Sequence, residues 1–224
     1  QDIVHIVDDY LGTVPAFAEG CRIAQEQGAE VICCFHDDVR IDDSLWDMRI
    51  EEHFDDHPAC ALAGFGGAMG VGRAGMYDEP FDPMTLARHS FGSNMEDAEA
   101  HGERWTEPRR VAVLDGFSQI FRVKTVHSAP FTYLADLGII HHAYDVALAA
   151  MIRRGPERET WFLPIPCHHA GGRTAVLDTG YLAWAKTKNP EGDQGLWLDA
   201  HRIVYDQFQD VLPFHVLHPE RKDT

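Results

Sequence analysis

Residues 30–39 read EVICCFHDDV: five apolar residues in succession, then an abrupt turn into His36-Asp37-Asp38. A half-exposed strand would alternate apolar and polar residues. The unbroken run over 29–35 is therefore expected to be a strand buried on both faces. In open α/β sheets, ligands bind beyond the carboxyl ends of the strands. Carboxylates gathered there suit hard cations such as Mg2+ or Mn2+. A second reading stays open, in which the acids only form a turn. Asp42, Asp43 and Ser44 precede a helical pattern over 44–58, with Leu45, Met48, Ile50 and Phe54 apolar and Pro58 as the stop.

Outward from this stretch the chain alternates strand and helix. Residues 2–7 (DIVHIV) read as a short strand, and 16–28 as a helix ending at Gly28. Residues 60–72 (CALAGFGGAMGVG) start as a strand and become a glycine-rich turn. Residues 73–110 read as an irregular segment, and one of that length is usually functional or mobile. Residues 111–123 read as a strand or a broken strand pair, and 141–155 as a helix ending at Gly155. The prolines within 160–169 place that strand near a sheet edge. LDTGYLAWAKTK and residues 196–212 supply further helices. The expected fold is α/β, a mixed Rossmann-like sheet flanked by helices with a C-terminal helical tail. The 224 residues are expected to form one domain over 1–224, with a core at 2–180 and a tail at 181–212.

Lys and Arg number 19 against 36 Asp and Glu, a net charge of −17. That balance argues against a nucleic-acid partner held by a basic surface and against an anionic membrane. Anionic substrates remain compatible with it, because a divalent cation inverts the local field. No run of 18 apolar residues and no signal peptide occurs, so no transmembrane segment is expected. Five cysteines with no CxxC pattern read as reduced thiols in a cytoplasmic protein. A chain that opens on Gln1 and enters a strand at once is expected to be a trimmed product or part of something longer.

Two further segments carry chemistry. CHHAGGRT (167–174) follows a strand, and its paired histidines ahead of Gly171-Gly172 could ligate a metal or form only a surface turn. HHAYDVAL (141–148) opens a helix. Asp145 falls near its first turn, where the helix dipole favours a carboxylate, and it is either a general base or an acid without catalytic role. No GxSxG, HExxH or zinc-finger spacing is present.

Taken in order, these segments resemble family-2 glycosyltransferases with the GT-A fold. YLGTVPAFAEGCRIA (10–24) looks like the NxGxxxAxNxGxxxA segment, and His36-Asp37-Asp38 stands where the family has DxD. His36 replaces the leading acid. LDGFSQIFRV (114–123) is similar to the glycine-led strand beside the acceptor. YDVALAAMIRRG (144–155) resembles EDxDLxxRxxxxG, and CHHAGGRT resembles HxGGxS. The family's first two strands would precede residue 2.

The resemblance implies transfer of a sugar from a nucleotide-diphosphate donor to the hydroxyl of a saccharide or other acceptor, with inversion. It implies a divalent cation, Mn2+ or Mg2+, held by Asp38 and His169. Asp37, Asp38, Gly171 and Gly172 would lie against the donor, and Asp145 would be the catalytic base. Arg104, Arg109, Gly116, His142 and Tyr144 are candidates for acceptor or lid contacts. Two alternatives stand beside this reading. One is a non-catalytic glycosyltransferase-like module that binds a saccharide or a protein partner. The other is an unrelated metalloprotein, motivated by the 14 histidines.

Overall fold

The computed structural model describes residues 12–95, 102–124, 130–155, 157–171 and 178–216. The strand expected over 2–7, together with Gly172 and Thr174, lies outside the described residues. The apolar run forms β1 (Val31–Phe35). It lies in a five-stranded sheet with β3 (Cys60–Gly64), β7 (Arg109–Arg110), β9 (Ser118–Arg122) and β10 (Glu159–Phe162), in the order β1-β9-β3-β10-β7. The sheet is mixed: β3 and β10 are parallel, whereas β9 runs antiparallel to both β1 and β3.

Side-chain alternation divides this sheet between two hydrophobic layers. Ile32, Cys34, Phe121 and Phe162 face one cluster, while Cys33, Phe35, Ile120 and Trp161 face the other. The first is covered by α1 (Thr13–Glu26), α3 (Pro130–Asp136) and α4 (Tyr144–Arg154), and α4 buries Val146 through Ala150 in it. The second is covered by α2 (Trp46–Asp56) through Ile50 and Phe54. The alternation comes from the strand period of two, and two apolar layers are what a helix-flanked sheet requires. The result is an α/β fold with mixed sheets, flanked by six α-helices among the described residues.

Several expected boundaries moved, each for a local reason. Ser44 does not cap α2. The N-cap position is Leu45, which has no side-chain cap, and Asp43 turns the chain ahead of it, its Oδ1 accepting from the Leu45 N–H at 2.9 Å while its other oxygen pairs with Arg49. Asp42 instead pairs with Arg40. The glycine-rich stretch after β3 is a strand, β4 (Gly66–Val71), and not a turn. A Cβ at Gly67 would stand 2.7 Å from the Val113 carbonyl oxygen, so the missing side chains let neighbouring strands approach.

The segment read as irregular contains a 3-10 turn (Pro83–Leu86), β5 (Arg88–Ser93), β6 (Glu103–Arg104) and β7. Strands β8 (Val113–Leu114) and β9 are the broken pair, split by the turn at 115–117. Prolines 164 and 166 likewise separate β10 from β11 (Cys167–His169), which pairs with β2 (Val39–Ile41) in its own small sheet. With β7 on its far side, β10 is an interior strand and not an edge.

Helix α5 (Thr179–Lys188) starts at Asp178, whose carboxylate accepts from the Gly180 and Tyr181 N–H groups. Helix α6 (Asp193–Gln207) sends Val204 and Tyr205 into the main cluster, and β12 (Phe214–His215) then pairs with β4. The C-terminal helices are therefore part of the packed body. None of the five cysteines is disulfide-bonded. Burial pushes the Cys33, Cys60 and Cys167 thiols up to about 12, which makes them inert packing groups. No helix among the described residues is long and apolar enough to cross a membrane.

Candidate active site at the end of the central sheet

Strand β1 delivers its chain to residues 36–38 at the same end of the sheet where β9 begins. The His36 N–H donates to the Phe117 carbonyl at 3.0 Å, which fixes the two segments side by side. From the opposite side, β11 brings His169 to within 3.2 Å of Asp38, measured Nε2 to Oδ1. Asp38 is held further by the Gly171 N–H, which donates to its Oδ2 at 3.1 Å. Phe117 stacks on the His169 ring at 4.6 Å and sets its plane.

His36 belongs to the same group. Its ring nitrogen, an Asp38 carboxylate oxygen and a His169 nitrogen all lie within 4.8 Å of one another. His36 Nε2 is 2.7 Å from the Tyr144 hydroxyl, and that hydroxyl donates to the Gly116 carbonyl at 2.8 Å. A phenol has one proton, and a carbonyl can only accept. The Tyr144 oxygen must therefore accept from His36 Nε2–H, which leaves Nδ1 of a neutral His36 with the lone pair. Burial lowers the His36 pKa despite the nearby charges of Asp38, Asp115 and Asp37, so the ring is neutral near pH 7. Burial, reinforced by Asp145, likewise keeps the Tyr144 phenol protonated. Gly116 has to be glycine here, because a Cβ would stand 2.6 Å from the Tyr144 hydroxyl.

Asp145, at the first turn of α4, is 8% exposed. Its Oδ2 receives a 2.5 Å bond from Arg88 Nη1, and its Oδ1 accepts from the Val146 N–H at 2.9 Å. Arg88 also stands 4.0 Å from Asp115, so one guanidinium bridges two acids. Burial alone would lower the Arg88 pKa, but the two carboxylates outweigh it and keep the cation charged.

The donor set fits a metal. Around an ion with bonds of ~2.1 Å, neighbouring ligand atoms lie about 3.0–3.4 Å apart in octahedral or tetrahedral geometry. The Asp38–His169 separation of 3.2 Å already has that bite. Two imidazoles with one carboxylate favour Mn2+, Zn2+ or a similar ion over Mg2+, whose preferred ligands are all oxygen.

Of the residues singled out from sequence, Asp38, His169, Gly171, Gly116, Tyr144 and Asp145 come together at this end of the sheet. Asp37 is exposed in the turn beside them. Arg104 and Arg109 lie instead on short strands, Arg104 bonding Asn94 and Arg109 covering the Trp105 ring. His142 pairs with Asp193 at 2.6 Å. Sequence reasoning missed Arg88 and Asp115. Arg88 falls in the segment taken as irregular. Asp115, next to Gly116 in LDG, carried a signal in its position before β9. Neither protein-family models nor curated proteins gave a match to this chain.

Proposed function

We propose that this chain is a GT-A-like glycosyltransferase of the family-2 type, transferring a sugar from a nucleotide-diphosphate donor to an acceptor hydroxyl with inversion. The observation that carries the reading is the meeting of four separated segments, 36–38, 116–117, 144–145 and 169–171, at one end of the central sheet. Each falls, in the same chain order, in a segment on which the resemblance rests, the remaining one being residues 10–24.

In this reading His36, Asp38 and His169 hold a divalent cation, best matched by Mn2+. The bound ion supplies electrostatic neutralisation of the diphosphate leaving group. Asp38 is kept in place by the Gly171 N–H and His169 by its stack on Phe117. Tyr144 orients His36, so that a protonated Nε2 faces the phenol and the Nδ1 lone pair is available. Asp145 accepts the proton of the attacking hydroxyl. To do so it must exchange its bond to Arg88 for one to the acceptor. Asp115, already 4.0 Å from Arg88, is placed to receive the guanidinium. A single base acting opposite the leaving group gives one displacement and an inverted anomer.

The same Arg88–Asp145 bond favours a second reading, in which the fold binds saccharide or protein without catalysis. Incubation of the chain with a panel of nucleotide sugars, Mn2+ and simple saccharide acceptors separates the two. Release of nucleoside diphosphate that requires both donor and Mn2+ is expected. No release from any donor would leave the binding module as the better account.

A further inference from the structure

A second cluster shares no residue with the His36–Asp38–His169 group. His141 and His142 occupy the bend ahead of α4, and Asp193 is the first residue of α6. One donor atom from each lies within 4.8 Å of the other two. We propose that His141, His142 and Asp193 form a divalent transition-metal site of the zinc type, clamping α6 to the bend that leads into α4. This inference does not depend on the glycosyl-transfer reading.

The geometry has the parts such a site needs. Histidine ligands are usually oriented by a partner on the other ring nitrogen. Here Thr13 Oγ1 lies 2.9 Å from His141 Nδ1, which leaves Nε2 facing away from that bond. Asp193 is oriented in turn by the Tyr181 hydroxyl, which donates to its Oδ1. The rings of Tyr181 and Trp184 wall His141 at 4.9 and 6.0 Å between centroids.

Two imidazoles and a carboxylate select Zn2+ and its neighbours over Mg2+ or Ca2+, and three protein ligands leave a fourth position for water. Zinc bonds of ~2.0–2.1 Å put tetrahedral ligand atoms about 3.4 Å apart. The His142–Asp193 contact of 2.6 Å would open modestly, and the wider separations would close. The ion would then join segments that now meet through the Thr13–His141, His142–Asp193 and Tyr181–Asp193 hydrogen bonds, with His141 Nδ1–H donating to Thr13 Oγ1 so that Nε2 carries the lone pair.

The test uses Zn2+ alone with the full chain, read by calorimetry and by thermal unfolding. One equivalent of Zn2+ is expected to survive His169→Ala and to raise the Tm of that variant. In the His169→Ala background, Asp193→Asn should weaken this equivalent at least ~100-fold and abolish the Tm rise. His141→Gln, made separately, should do the same and carries the test if the Asp193 change impairs folding. Zn2+ binding and a Tm rise that persist through both changes would overturn the proposal. So would the loss of all Zn2+ binding on His169→Ala alone, which would assign the metal to the first cluster only.

Discussion

Asp145→Asn is expected to lower sugar transfer by about 10²–10⁴-fold, the usual contribution of a positioned general base. Asparagine has nearly the same shape, so the change isolates charge and proton affinity. Its carbonyl can replace Oδ1 as acceptor for the Val146 N–H, but its amide then faces Arg88 with a donor against donors. A flipped amide moves the mismatch to Val146. Either orientation costs on the order of 1–3 kcal/mol, an outcome visible by denaturation. Asp115 remains near Arg88, so the guanidinium keeps a counter-charge and the fold should persist. A purely structural Asp145 would give activity that tracks the folded fraction. A base gives a fully folded variant that fails to turn over while still binding donor. Near wild-type transfer in the folded variant would remove Asp145 from the mechanism.

His169→Ala is expected to weaken Mn2+ binding at the first cluster by about 100-fold or more. Loss of a supporting partner alone typically costs 10–100-fold, and His169 is itself one of the three donor residues. The substitution also removes the ring stacked on Phe117 and leaves the Asp38 carboxylate with its bond from the Gly171 N–H. His169→Gln is a useful companion, since it refills part of the volume without an imidazole. Calorimetry with Mn2+ on both variants should show the loss in each. Binding that survives in the glutamine variant would show that packing beside Phe117, and not ligation, was the role of His169.

Much of the site was legible because strand ends and helix starts are marked locally. The apolar run of β1 ended where its acids began, and the first turn of α4 carried Asp145. The pairing of His169 with Asp38 was implied by the family resemblance, and the two side chains do meet at 3.2 Å. What the sequence did not disclose were pairings set by long-range register. Arg88 reaches Asp145 across 57 positions, from a strand that its glycine and proline neighbours disguised as loop. His36 looked like a mere departure from a carboxylate. Its setting became visible only through Tyr144, which donates to Gly116 and accepts from the imidazole. The two side chains form one hydrogen-bonded unit, and neither is intelligible alone. Gly67 shows the same limit for the fold. Glycine-rich sequence signals a turn, whereas close strand approach also demands glycine, and only the neighbours tell which.

Titration of UDP and of GDP into the chain by calorimetry, with Mn2+ and again with EDTA, tests most directly whether this end of the sheet binds a nucleoside diphosphate through a cation held by the proposed ligands His36, Asp38 and His169. Saturable binding of at least one of them with Mn2+, lost in EDTA and lost in Asp38→Asn, is the predicted result. Binding of neither nucleotide with Mn2+ present, or equal binding in EDTA and in Asp38→Asn, would contradict it.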